Sequence, residues 1–509
     1  MLGFLPSEKN VHNFASKPIP MKILSAALLL PGLGFAALVG RAVNVQDYGA
    51  RGDGVADDTP AIVAAVNGAR DGLVEFPRGS YRITRTIEIK LSVAGTLGLA
   101  GRGGSGRIIM AGEGPAFRFI GSHTTSADPA GVKEITWERE RMPMVAALEI
   151  VGENPLADGI EVKNTMQPVL RGVLIRGVRH ALRFTHLNRN VLVEGCHIYN
   201  CSGIGIYLDA VNIHQMNISG SHISYCLKGG IKIVESEIRN LQITGNDIEY
   251  NEDPKGPPSA EIWIDCAQRG SVSEGAIVSN TIQGTNYPGG ANIRFTGLIG
   301  PDKNRNAYPD RVGLFSITGN HISTQEVNIH LDHVRGVSIT GNTFIRGYSQ
   351  NLLLESCRNL VISGNVFDHN EHYHQDNPKA AGGVTIQGGR SIIFSDNIVD
   401  GAESGSLSSG GALAIADSRE ITVSGCQILN PKFRGIYVNR SANVRVNNCT
   451  ITEENSVRRM LAAVEFAGSA PGSIVSGNSL VPGKNGDVVA AGSGVLLEGN
   501  HPVFLGTIP

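Results

Sequence analysis

The sequence predicts an all-β fold, a right-handed parallel β-helix solenoid of about 12 coils opened by an N-terminal capping helix. Three observations lead there. A short apolar-x-Gly-Asn-x-apolar pattern recurs along the chain, and neighbouring copies sit a near-constant distance apart. The composition is that of a turn-dense β protein: 64 Gly and 41% hydrophobic residues, with only 18% charged, among 509 residues.

The repeat reads ITGNDI at 243–248, ITGNHI at 317–322, ITGNTF at 339–344, ISGNVF at 362–367 and VSGNSL at 475–480. Weaker copies begin at 193, 218, 394, 423 and 446, and IVSNTI at 277–282 divides the longest gap. Many steps between copies are 22 to 25 residues. Leucine-rich repeats share that period, but they need a Leu-rich consensus with a helical segment. Here each period holds short β-branched runs separated by Gly, Asn and Ser, which is one coil of a parallel β-helix. Coils then stack about 4.8 Å apart. The repeated Asn is expected to form a ladder of amides in a turn. Cys196, Cys426 and Cys449 fall where that Asn belongs, so they read as buried substitutes in the ladder. Cys201 and Cys226 lie one coil apart, placed to stack or to bond. Seven Cys, an odd number, argue against a full disulfide framework.

Residues 1–20 look like neither leader nor fold and are expected to be a mis-called extension, with the true start at Met21. From there Lys22 and the apolar run 23–40, with small residues at Ala36, Ala37 and Ala42, read as a signal peptide over 21–42. An uncleaved anchor is the competing reading, because the run is nearly long enough to span a bilayer. Pro31 and several Gly interrupt it, which favours cleavage. The expected mature protein is one domain, 43–509, secreted or periplasmic, with no membrane attachment after cleavage. The net charge of −2 supplies no basic field, so nucleic acid is not an expected partner.

Residues 47–65, DYGARGDGVADDTPAIVAA, followed by VEFPRGSYRI at 74–83, resemble the opening of the pectate-lyase-like and polygalacturonase-like β-helix superfamily, in particular its rhamnogalacturonase/epimerase-like pectate lyase domain. The resemblance implies an early strand, a capping helix started by Asp57, Asp58 and Thr59, and entry into the first coil. The hydrolase motifs NTD, DD, GHG and RIK are missing from the middle coils, as is the RxPxxR of classical pectate lyases. The superfamily follows from the motif; neither established mechanism does.

Aligning one strand per coil gives two outward columns. The first reads Glu161, Arg183, Tyr207, Lys232, Trp263, Arg294, His330, Leu353, Thr385. The second reads Lys163, Thr185, Asp209, Val234, Asp265, Thr296, Asp332, Glu355, Gln387. From Tyr207 to Glu355 this face concentrates aromatics, cations, acids and a histidine. Trp263 and Tyr207 suit sugar stacking, and Lys232 and Arg294 suit uronate carboxylates. Asp209, Asn292 and Asn328 join them as substrate-binding candidates. Asp265, Asp332, His330 and Glu355 are the catalytic candidates. Asp332 and Glu355 sit one coil apart and Asp265 two coils from Asp332, spacings compatible with either class of glycosidase. A base plus a cation would equally serve a lyase, with Ca²⁺ possible though no cofactor is required. The structural alternative is a plain ladder of salt bridges, such as Arg294 with Asp265.

Three insertions, 252–261, 300–310 and 368–383, are expected to wall this groove. The last carries His369, His372, His374 and Asp376, whose spacing fits no zinc pattern, so no metal site is assigned. The expected function is a secreted enzyme cleaving or modifying an acidic polysaccharide, a lyase or glycoside hydrolase, with epimerisation as a further option. The alternative is a non-catalytic glycan-binding, tailspike-like or cell-surface protein. The sequence leaves the oligomeric state open.

Overall fold

In the computed structural model, residues 42–125, 131–298, 311–370, 380–454, 458–490, 492 and 494–503 are described. The predicted extension and signal peptide (up to residue 41), the 300–310 insertion, and His372, His374 and Asp376 lie outside them. Short strands wind in parallel from Val43–Asn44 to His501–Pro502, each paired with the strand one coil away. No helix among the described residues is long and apolar enough to cross a membrane.

The predicted cap is present. The helix Thr59–Gly68 has Asp58 at its N-cap and Pro60 in its first turn, where a missing N–H costs nothing. Asp58 does not cap the helix with its side chain. Its carboxylate accepts instead from the Arg51 and Gly52 amides at 2.6 and 3.0 Å. Asp57 accepts from the Thr59 amide at 3.0 Å, so these acids fasten a turn.

The Gly-Asn step works as a hinge and a ladder together. Gly245, Gly319, Gly341 and Gly364 hold φ near +64°, a left-handed bend that suits glycine. The Asn that follows turns inward. Asn246, Asn280, Asn320, Asn342, Asn365 and Asn397 stack through the solenoid, each Oδ1 from Asn280 onward accepting from the backbone and side chain of the Asn before it. Cys196, Cys426 and Cys449 take the same position, as expected. All seven Cys are buried and free, Cys201 in register with Cys226.

The charged face predicted from sequence lies on one strand of each coil. Its first outward column runs Glu88, Arg118, Glu161, Arg183, Tyr207, Lys232, Trp263, Arg294, His330, Leu353, Thr385, Ala414, Tyr437, Glu465, Val489. That is fifteen rungs among the described residues, against about twelve coils expected. The extra coils lie at the N-terminal end, at Glu88, Arg118, Glu161 and Arg183, before the first copy of the repeat at 193. Inward neighbours such as Ile262, Ile264, Ile293, Phe295, Ile329 and Leu331 are fully buried. Burying such side chains stabilises each coil by about 1.5–3 kcal/mol per residue.

Candidate active site

The register aligned from sequence is the register observed. Trp263, Arg294 and His330 are direct partners on successive strands, as are Asp265, Thr296, Asp332 and Glu355 in the second column. At about 4.8 Å per rung, Arg294 stands about 5 Å from the His330 backbone, Lys232 about 14 Å and Tyr207 about 19 Å. The row is therefore a long track with its imidazole near one end.

That end carries two imidazole–carboxylate pairs. His330 Nε2 lies 2.7 Å from Glu355 Oε2, and His333 Nδ1 lies 2.5 Å from Asp332 Oδ1. The His330 side chain is 21% exposed and that of Glu355 41%, so the pair borders solvent and is reachable. An ionised carboxylate only accepts. A neutral His330 donating to that carboxylate would hold its proton on Nε2 and present Nδ1 as an acceptor, and a neutral His333 would present Nε2. Sequence reasoning missed His333. It follows the second column by one residue and turns back onto the face because its backbone is left-handed, with φ +54°.

The aromatic residues have a different role from the one expected. The Lys232 ammonium sits 3.9 Å from the Trp263 ring centre, and the Arg294 guanidinium sits 5.1 Å from it. The two cations come from the coils on either side, so both ring faces are taken. Trp263 Nε1 is itself buried without a partner. The ring therefore orders two cations, each contact worth about 0.5–2 kcal/mol, and offers no face to a sugar. Tyr207 is engaged likewise. Arg183 approaches its ring at 5.8 Å, and its hydroxyl donates to Asp209 Oδ1 at 3.1 Å. Asp209 also accepts from Arg183 at 2.5 Å. Burial, followed by the neighbouring Asp209 charge, pushes the Tyr207 phenol up to about 12.

The Arg294–Asp265 salt bridge of the structural alternative is not formed. Arg294 is 9% exposed, donates through Nη2 to the Gly289 carbonyl at 2.7 Å, and leaves Nε buried without a partner. Burial pulls its guanidinium below the usual range and does the same to the Lys232 ammonium. Among the described residues Asp265 accepts one long hydrogen bond, from the Ala267 amide at 3.4 Å, and its charge opposes the shift of both cations.

Asn292 and Asn328 are not surface residues. Both are fully buried and lie in an internal amide ladder, Asn292 donating to Asn328 at 2.8 Å and Asn328 to Asn351 at 2.7 Å. They precede the first inward residue of their strands, where the chain turns from loop to sheet and points the side chain inside. They cannot touch a substrate. Glu261 occupies the equivalent position one coil earlier. It is fully buried, receives the Asn251 amide and side chain at 2.8 and 2.6 Å, and adjoins the buried Glu252. Burial first, then the Glu252 charge, holds its carboxyl well above the usual range.

Among the described residues no three His, Cys, Asp or Glu side chains converge as ligands, and two acids of the row are already engaged by imidazoles.

Comparison with known proteins agrees with the fold. The family model described as rhamnogalacturonase A/epimerase, pectate lyase-like, matches residues 42–134. A right-handed β-helix region model matches 151–282, and the model of the periplasmic copper-binding protein NosD matches 274–485. Mannuronan C5-epimerase AlgE6 of Azotobacter vinelandii is 38% identical over 84 residues, 15% of this chain and 10% of that protein. AlgE1 of the same organism is 29% identical over 138 residues, 25% of this chain and 10% of that protein. The chain thus spans only a tenth of the length of these curated relatives. Among solved structures, the A-module of the Azotobacter vinelandii epimerase AlgE4 aligns over 91% of this chain and 100% of its own, at 14% identity and a TM-score of 0.35. The Dettilon tailspike protein aligns over 90% and 68%, at 13% identity and a TM-score of 0.44. The N-terminal motif, the family-model matches and the parallel ladder of coils agree on a right-handed parallel β-helix whose opening matches the rhamnogalacturonase A/epimerase, pectate lyase-like model.

Proposed function

We propose that this protein modifies an acidic, uronate-containing polysaccharide by removing the proton next to the sugar carboxylate, and that it works outside the cytoplasm. The observation that carries the reading is the pairing of two imidazoles with two carboxylates one rung from a desolvated arginine. In this reading His330 is the base through Nδ1, held by Glu355. Arg294, about one rung away, neutralises the carboxylate of the reacting sugar and so lowers the cost of carbanion formation. Lys232, about three rungs away, holds the carboxylate of a neighbouring sugar. His333, its Nδ1 held by Asp332, delivers a proton that its Nε2 takes up from solvent. Asp265 keeps the two cations charged.

The same carbanion has two fates. Protonation from the opposite side of the ring inverts C5, as the relatives named mannuronan C5-epimerases do by their name. Loss of the 4-linked sugar gives an unsaturated end. Hydrolysis fits less well, because a glycosidase needs one protonated acid, and both closely spaced acids here are bonded to imidazoles. The reading is tested by incubating the protein with polymannuronate and polygalacturonate. Absorbance from unsaturated ends supports elimination. A changed epimer ratio without new ends supports epimerisation. Reducing ends without absorbance, or a fully active His330→Gln variant, would overturn it. A second reading, glycan binding without reaction, is favoured by the Arg183–Asp209–Tyr207 network, which closes part of the row into a structural ladder; retained binding with neither product supports it.

A further inference from the structure

A second groove lies on another face of the solenoid, away from the charged row. It occupies about 570 Å³ where each coil bends ahead of the turns at Gly172, Gly195, Gly220 and Gly245. Four successive coils build it. Gln167, Asn190, Gln215 and Asn240 stand at the bend itself, all with positive φ between 53° and 69°. Asn217 and Gln242, direct partners in the ladder, stand two residues further on. Met142, Val169 and Leu192 close one end.

None of the groove's lining residues carries a charge. The six amides are also without partners: none of their side chains makes a hydrogen bond within the described protein, and Asn190 Oδ1 is buried with nothing bonded to it. The contrast with the interior is informative. There, Asn residues at the same coil spacing bond to one another along the whole stack. In the groove the same chemistry stays open and faces outward.

We infer that this groove binds a neutral, hydroxyl-rich glycan segment laid along the solenoid axis. A hydroxyl both donates and accepts, and so does an amide side chain, which makes rows of Asn and Gln a match for successive sugars. The absence of fixed charge disfavours a uronate chain here and sets this groove apart from the charged row. An extended peptide is a poorer occupant, because the backbone donors and acceptors of these strands are already used between coils and leave no edge to augment. The groove spans about 14 Å from first to last coil, enough for a short oligosaccharide.

The test is titration of the full chain with mannohexaose, cellohexaose and maltohexaose, with hexamannuronate and an extended polar peptide as comparators. At least one neutral hexaose is expected to bind. The Asn217→Ala/Gln242→Ala double variant is expected to weaken it about tenfold or more. Asn217→Asp keeps the side-chain shape and is expected to weaken it too, with thermal unfolding unchanged in both variants. His330→Gln leaves this affinity unaltered. Failure of all three neutral hexaoses to bind at millimolar concentration overturns the inference. So does binding that ignores the groove variants, or peptide binding that displaces the sugar.

Discussion

Replacing Asn342 by alanine probes the device that fixes the register of the coils. In the native ladder Asn342 Oδ1 accepts from the Asn320 amide at 3.0 Å and from Asn320 Nδ2 at 2.9 Å. Its own Nδ2 donates to the Ile317 carbonyl at 2.9 Å and to Asn365 Oδ1 at 3.0 Å. Alanine orphans two donors on Asn320, both in a turn closed to water. Each buried unsatisfied group costs about 1–3 kcal/mol, so the substitution is expected to destabilise by about 2–6 kcal/mol. Serine stands at this ladder position naturally at Ser221, where its hydroxyl accepts from the Cys196 amide at 3.1 Å and donates to the Ser219 carbonyl. Asn342→Ser therefore retains one of the two acceptor contacts, and its expected cost is about half that of alanine, 1–3 kcal/mol. Urea unfolding gives the ranking, and hydrogen exchange of the Asn320 and Ile345 amides locates it. In a solenoid the loss should concentrate at the coils touching the substitution. Equal costs for alanine and serine, or exchange loosened evenly along the chain, would refute the reasoning.

Glu261→Gln replaces the first member of an otherwise amide ladder. The folded protein holds Glu261 above its unfolded titration range, so the stability linked to its protonation is present at low pH and is lost as pH rises through the raised value. The glutamine variant should gain stability relative to wild type toward neutral pH and flatten the pH dependence; parallel urea midpoints from pH 5 to 8 would contradict this. Arg294→Gln should lower turnover on a uronate polymer more than it raises KM, whereas Lys232→Gln, about three rungs from the base, should mainly raise KM; steady-state kinetics separates the two. Thiol titration with Ellman's reagent should find essentially none of the seven Cys reactive in the native protein and all seven after denaturation. A fast-reacting native thiol would show that the ladder opens.

The solenoid and its register were legible because the sequence repeats its own physics. Gly245, Gly319 and Gly341 mark the bend, and the following Asn marks the stack; counting from them aligned Trp263, Arg294 and His330 correctly. What stayed hidden depends on where a side chain goes after its backbone position is known. Trp263 stands outward as expected, but only the structure shows its faces filled by Lys232 and Arg294. Asn292 and Asn328 look like surface polar residues by type, yet their backbone turns them inside. His333 falls out of the alternating pattern because a left-handed residue breaks the two-residue period. The groove of unpartnered amides escaped notice because it consists of residues that sequence patterns treat as ordinary turn and strand polars.

The central claim is that His330 takes the proton from a uronate bound beside Arg294. Proton NMR of oligomannuronate incubated with the protein in heavy water tests it directly, because a removed C5 proton is replaced by deuterium or lost with elimination. Wild type should erase the C5 signal of internal sugars, and His330→Gln should slow that loss by roughly 100-fold or more. A C5 signal that persists with wild-type protein, or disappears equally fast with the variant, would contradict the account.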